Sequence, residues 1–335
     1  MTPKEIIKAI LSGKRADRVG YWAGGPNEPQ AFYDFYGIDN GDDLFSKLNS
    51  DLAHIESSWS AWPYDSGYFD YYGGKEPTSH NAAGVFADCE DVAEVEAHNW
   101  PDPESMDFTH YMQTLDNPLY MHRAIFSGSW SMFYHDMCSF FGMDNYFVKM
   151  YTDPAVVEAA TERIVDFYLA VNKKCFDLAA NKIDAFFFGN DFGTQEGIIM
   201  SPECFKKFIL PGFKKLIDQA KSYDLKVVLH SCGAIGEVIP MLIDAGIDGL
   251  HPLQAKAKGM DAETLAREYK KDIVFIGGVD TQELLPFGTP EQVKKEVRRL
   301  KKVFGERFIV SPSHEAILPE VNPANIVAMQ EAAME

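Results

Sequence analysis

From about residue 120 to the end, the chain alternates between two apolar patterns. One is the short, solidly apolar run: His122–Ser127, Ile183–Phe188, Lys226–Leu229, Ile247–Leu250, Ile273–Ile276 and Phe308–Val310. Runs of this length and density predict strands buried on both faces, as in a parallel sheet. The other is the amphipathic stretch with a marked start. Thr152-Asp153-Pro154 opens a helix to about Ala180, Ser201-Pro202-Glu203 one to about Ser222, and Thr289-Pro290-Glu291 one to about Phe304. In each, proline sits near the first helical position, where its missing N–H costs nothing. Further helices are predicted over 234–245, 261–270 and Pro323–Met334.

The first third is less regular. A lysine-rich amphipathic helix is predicted over 2–16, a strand over Arg18–Trp22, helices near 29–37 and 41–50, and a strand over Asp51–Ser57. The rest of Gly24 to Pro118 is crowded with Asp, Gly, Pro and aromatic residues. With the early strands counted, about eight strands alternate with helices, which predicts a (β/α)8 TIM-type barrel with an elaborated N-terminal region. The expected domain is one unit over 1–335. Residues 1–118 supply the first strands and an irregular, aromatic-rich lid, and 119–335 supply the regular units. The competing architecture is an open doubly wound sheet. No Gly-x-Gly-x-x-Gly follows the first strand, so a dinucleotide fold has no motif behind it.

Charge removes several classes of partner. The net charge of −19 repels phosphate backbones and anionic lipid, so neither nucleic acid nor a membrane surface is expected. No apolar run approaches the ~20 residues needed to cross a bilayer. The N-terminus, Met-Thr-Pro-Lys-Glu, does not read as a signal peptide. The five cysteines are scattered and odd in number, which fits a reducing cytoplasm rather than a disulfide framework.

In such barrels the active site forms at the C-terminal ends of the strands. The residues there are Ser127-Gly128-Ser129, Gly189-Asn190-Asp191, His230-Ser231-Cys232, His251-Pro252-Leu253-Gln254, Gly277-Gly278-Val279-Asp280 and Ser311-Pro312-Ser313-His314-Glu315. His230 and Cys232 are two of the donor types zinc accepts. His314 is the first choice for a third ligand, with Glu315, Asp191 and His251 as competitors. Asn190, Asp191 and His251 are candidate catalytic residues, the first two also as orienting groups beside the metal. Trp22, Gln254 and Asp280 are candidate substrate contacts. So are Trp59 and Trp62, which belong to the run Trp59-Ser-Ala-Trp62-Pro-Tyr64-Asp-Ser-Gly-Tyr68-Phe69-Asp-Tyr71-Tyr72. That run reads either as a loop pinned by its own rings or as an apolar lid over a flat substrate, extended by Trp130, Phe133 and Tyr134.

These residues carry a resemblance. Gly189-Asn-Asp-Phe-Gly-Thr-Gln195, Ser201-Pro-Glu203, His230-Ser-Cys-Gly233, Asp244-Ala-Gly-Ile-Asp-Gly249, Gly277-Gly-Val-Asp280 and Val321-Asn-Pro-Ala-Asn-Ile326 resemble the uroporphyrinogen decarboxylase superfamily. That group includes the decarboxylase and zinc-dependent, corrinoid-linked methyltransferases on the same barrel. The likeness covers nearly the whole chain and is strongest over 184–328. The decarboxylase branch implies an arginine-rich segment after the first strand and a catalytic aspartate in the second. Here Trp22 to Gln30 holds no arginine, the whole chain holds eight, and the aspartate's place falls near Ser58. A polycarboxylate substrate needs cationic anchors. The methyltransferase branch implies zinc on a His-x-Cys and a later Cys near the last strand. His230 and Cys232 match. The later Cys is absent, and its role is carried to His314. The resemblance thus implies zinc-dependent transfer of a methyl group between a small donor or acceptor and a corrinoid (cobalamin) carried by a partner protein. It also implies a homodimer. The alternatives are porphyrin-pathway decarboxylation, a lyase acting on a smaller acid through Asp191 and His251, and a non-catalytic tetrapyrrole or corrinoid binder.

Overall fold

The computed structural model describes the chain except residues 59, 60, 64–66, 78, 80 and 131. Among the described residues, eight strands form one parallel sheet. They are β1 (Gly20–Tyr21), β2 (Leu52–Glu56), β3 (Ala124–Gly128), β4 (Ala185–Gly189), β5 (Lys226–His230), β6 (Gly249–Leu253), β7 (Val274–Val279) and β8 (Phe308–Pro312). Their order is β1-β8-β7-β6-β5-β4-β3-β2. The two ends meet through one carboxylate. Asp51 N–H donates to the Tyr21 carbonyl at 2.8 Å, and Tyr21 N–H donates to the Asp51 carboxylate at 2.8 Å. Arg18 grips the same carboxylate with two bonds of 2.6 and 2.8 Å. The architecture is the expected (β/α)8 barrel, and the open doubly wound sheet is set aside.

Phe186 and Phe188 of β4 face the outer helices, while Phe187 faces inward, as the period-two alternation of a strand requires. The inner core also holds Trp22, Phe126, Val228, Ile276 and Ile309. Its floor is the helix α1 (Pro3–Leu11), which inserts Ile6, Ile7, Ile10 and Leu11. Thr2 and Glu5 form a capping box at its start. The helix ends at Leu11, not near residue 16 as expected, and Gly13 follows in the left-handed region at φ 66°.

The strands β3, β4 and β6 begin about two residues after the apolar runs that predicted them. The leading residues form turns instead. There Asp184 accepts the Ile125 N–H at 2.9 Å and Asp248 accepts the Val227 N–H at 2.8 Å, each repeating the arrangement at Asp51. The shift puts His251 inside a strand rather than beyond one. The helix from Ser201 is also uneven: Phe205–Ile209 is a π-turn, next to Pro211, which has no N–H to continue the ladder.

Within the aromatic run, Trp62 packs on Tyr68 at 5.4 Å and on Phe167 of the helix Pro154–Ala179 at 6.3 Å. Phe69 meets Phe167 at 5.1 Å, and Tyr71 meets Phe140 at 5.0 Å. The described part of the run is therefore pinned to the outer helices by its rings. Trp59 and Tyr64 lie outside the described residues.

Candidate active site

β5 ends on His230, which is 1% exposed, and Cys232 follows two residues on. Next door, Gly189 of β4 pairs with His230, and Asn190 and Asp191 continue beyond it. The two following loops interlock. Gly193 N–H donates to the Cys232 carbonyl at 3.2 Å, and Ala234 N–H donates to the Thr194 carbonyl at 2.7 Å. Gly233 sits at φ 87°, and a Cβ on either Gly193 or Gly233 would collide with the other's backbone. This close approach sets Asp191 beside Cys232, whose N–H donates to Asp191 Oδ1 at 2.8 Å.

His230 Nε2 lies 3.4 Å from Cys232 Sγ and 3.3 Å from Asp191 Oδ1. One donor atom from each of the three side chains falls within 4.8 Å of the others. Nitrogen, sulfur and carboxylate oxygen are all zinc ligands. The electrostatics fit a cation. Burial raises the Cys232 thiol well above its ordinary range, and the Asp191 and Glu315 carboxylates raise it further. Burial also works against the charged form of Asp191. The His230 hydrogen bond and charge, together with the Cys232 N–H, nevertheless hold its carboxyl below the usual range. A carboxylate facing a thiolate is a poor pair without a positive ion, and a divalent cation would reconcile them.

On its other edge, His230 Nδ1 meets His251 Nδ1 at 2.9 Å and Glu315 Oε2 at 3.7 Å. His251 is fully buried, and burial lowers its pKa well below the ordinary imidazole range, which favours the neutral ring. Trp22 packs on His251 at 4.8 Å, and Trp130 sets its ring edge-on to His230 at 4.3 Å. Among the described residues, the buried Oε2 of Glu315 and Nε2 of His251 find no hydrogen-bond partner.

The other expected site residues take different parts. His314 stands beside the trio, not in it, with Nδ1 accepting the Ala316 N–H at 3.1 Å. Asp191, one of its competitors, lies with His230 and Cys232 instead. Asn190 donates to the Met132 carbonyl at 2.7 Å and accepts the His135 N–H at 3.3 Å, bracing the segment beyond β3. Gln254 accepts the Gly233 N–H at 2.6 Å. Asp280 accepts the N–H groups of Gln282, Glu283 and Leu284 at 3.0 to 3.1 Å, which makes it a turn cap.

Two interior groups escaped the sequence reading. His54 and Glu56 alternate on β2 and so share one face with Ser58 just beyond. The His54 ring lies 4.9 Å from Phe187, 6.4 Å from Trp130 and 6.5 Å from Trp22. Its buried Nε2 has no hydrogen-bond partner, and burial lowers its pKa to about 4. Glu56 Oε1 accepts the Trp130 N–H at 3.1 Å and the Ser58 hydroxyl at 3.5 Å, and burial raises its carboxyl to about 7. The signal was available: polar residues at period two within an otherwise apolar strand.

Barrel and trio together define a TIM-barrel protein with three side chains at its mouth that could hold a metal ion. The chain belongs to the uroporphyrinogen decarboxylase (URO-D) family, whose model matches residues 123–335. It is similar to the methylcobamide:CoM methyltransferase MtbA of Methanosarcina acetivorans, with 26% identity over 160 residues, 48% of this chain and 44% of that protein. It is also similar to the methylated-thiol–coenzyme M methyltransferase of Methanosarcina mazei, with 26% identity over 162 residues, 47% of this chain and 39% of that protein. A uroporphyrinogen decarboxylase of Chlorobium limicola shares 27% over 206 residues, 58% of this chain and 54% of that protein. The chain thus spans about half the length of the curated relatives it matches. A solved methyltransferase from Methanosarcina mazei has the same fold, with a TM-score of 0.66 at 17% identity, covering 100% of this chain and 98% of that one. Family members are enzymes of two kinds, methyltransferases and decarboxylases. Among the described residues, no helix is long and apolar enough to cross a membrane.

Proposed function

We propose that the chain is a zinc-dependent methyltransferase that moves a methyl group between a small substrate and a corrinoid on a partner protein. The observation that carries this reading is the convergence of Asp191, His230 and Cys232 within 4.8 Å. Those three residues would hold the zinc, with His314 and Glu315 beside them. Bound there, zinc would supply Lewis acidity toward a substrate heteroatom. The residues around it do the rest. His251 orients His230, Trp22 and Trp130 keep water from the imidazoles, and Glu56 can hold or release a proton near neutral pH. Methyltransferase relatives support the reading, and the corrinoid would arrive from outside.

Decarboxylation of a polycarboxylate is the weaker reading. Ser58 stands where the branch's aspartate was expected, and Arg18, the nearest arginine to Trp22 in sequence, is committed to Asp51 at the barrel seam. The test is metal analysis of the purified protein beside Cys232→Ala. The native protein should carry about one zinc per chain and the variant well under half of that, because each zinc ligand is needed to close the site. Equal zinc in both, or none in either, refutes the metal centre. Conversion of uroporphyrinogen to coproporphyrinogen would reverse the ranking of the two reactions.

A further inference from the structure

The segments that follow the eight strands, up to the next helix, form the rim of the barrel mouth: residues 22–29, 57–91, 129–133, 190–201, 231–238, 254–261, 280–283 and 313–322. Together they contain no arginine and three lysines, Lys75, Lys256 and Lys258. All three are exposed, and Lys256 is paired with Glu283 at 2.8 Å. Residues 59, 60, 64–66, 78, 80 and 131 in these segments are Trp, Ser, Tyr, Asp, Thr and His, so they add no lysine or arginine. The remaining cations lie on helices or toward the opposite end, as Lys4, Arg18, Arg123, Lys221 and Lys226 do. Carboxylates are not excluded from the mouth in this way. Asp191 and Glu315 flank His230, and Glu56 faces the interior beside Trp130.

Away from the proposed zinc, an anion entering this space would meet carboxylates and ring faces with no lysine or arginine to receive it. Like charge brought together in a low-dielectric site is strongly unfavourable. A positive group would meet the reverse: a carboxylate, and the electron-rich faces of Trp22 and Trp130. Two further atoms point to an occupant here. Among the described residues, His54 Nε2 and Glu315 Oε2 are buried without a hydrogen-bond partner, and a native protein rarely leaves such atoms unsatisfied.

We propose that the small molecule handled at this site carries a positively charged, hydrogen-bond-donating end and no sulfonate or carboxylate, with Glu56 as the group that receives it. This deepens the proposed function and rests on it for the placement of the reacting heteroatom. The arrangement is local. Trp130 holds Glu56 with its N–H at 3.1 Å while its ring touches His230 at 4.3 Å. The receiving carboxylate and the proposed metal-binding group therefore both contact one tryptophan, the first at its backbone N–H and the second at its ring. The Glu56 carboxyl, raised to about 7 by burial, would be drawn into its charged form by an arriving ammonium.

The test varies charge and keeps the heteroatom constant. Zinc-loaded protein is titrated calorimetrically with 2-aminoethanethiol, 2-mercaptoethanol and 2-mercaptoethanesulfonate. The amine should bind about tenfold more tightly than the alcohol, and the sulfonate more weakly than either, since a hydrogen bond to a charged group contributes on the order of a tenfold change in affinity. Glu56→Gln should lower the amine's affinity about tenfold on the same basis. A sulfonate that binds as tightly as the amine overturns the inference, and so does a folded Glu56→Gln protein that keeps the native amine-to-sulfonate ratio. The native series is decisive even where the variant fails to fold. Because the readout is heat of binding, its failure differs from that of the proposed reaction. A protein that binds in the stated order yet never methylates a corrinoid loses the reaction and keeps the inference, and one that methylates but prefers the sulfonate does the opposite.

Discussion

At the level of single residues, the proposed metal chemistry turns on the contact between His230 and His251. Two ring nitrogens 2.9 Å apart require one proton between them. If His230 presents a lone pair at Nε2 to a metal, its Nδ1 bears the proton and His251 accepts it. Metal-binding histidines usually donate that second N–H to a carboxylate, carbonyl or water, and loss of the acceptor typically costs ~10- to 100-fold in metal affinity. His251→Ala should therefore weaken zinc binding about 10- to 100-fold in a chelator competition, with nitrogen NMR showing a mixed His230 tautomer. His251→Gln, whose amide oxygen can accept, should recover part of the loss. Unchanged affinity in His251→Ala would show that Glu315 or solvent suffices.

At the level of elements, α1 is the piece whose removal should cost most for its size. Ile7 and Ile10 are fully buried among inward residues of the strands. Ile7→Ala should destabilise the protein by about 2 to 4 kcal/mol in urea denaturation, because nothing stands ready to fill the cavity. A loss below ~1 kcal/mol would mean that the floor can collapse onto the gap. The alternation of strands and helices was legible because buried parallel strands and capped helices leave distinct patterns. The strand limits were not legible. A solid apolar run does not mark its own pairing, and the carboxylates of Asp184 and Asp248 replace ladder bonds at its start. The His-x-Cys was visible from types and spacing. As a metal ligand, Asp191 entered only as a competitor, because its approach depends on Gly193 meeting Gly233, a tertiary contact. Glu56 was not legible from the strand end, because it lies within β2 on the face it shares with His54.

For the molecule as a whole, buried carboxyls set part of the response of stability to pH. Asp136 is buried in the helix Tyr134–Phe141 and accepts hydrogen bonds from Tyr71 at 2.5 Å and Tyr168 at 2.9 Å. Burial outweighs these bonds and raises its carboxyl from an ordinary 3.8 to about 6. The native protein then keeps a proton that the unfolded chain has lost between those values. Its contribution to stability is full below the lower value and is lost as pH rises through the upper one. Asp136→Asn removes this dependence. Measured against the native protein by urea denaturation, the variant should gain about 1 to 3 kcal/mol of relative stability between pH 4 and pH 7. A difference that stays flat over that range would contradict the raised value. The stopper formed by α1 bears on traffic as well as on stability. A tube sealed below has a single doorway, and in the proposed reaction a corrinoid carrier would have to stand in it. The small molecule would then have to be inside before the carrier arrives, so the two partners would bind in a compulsory order, the smaller first.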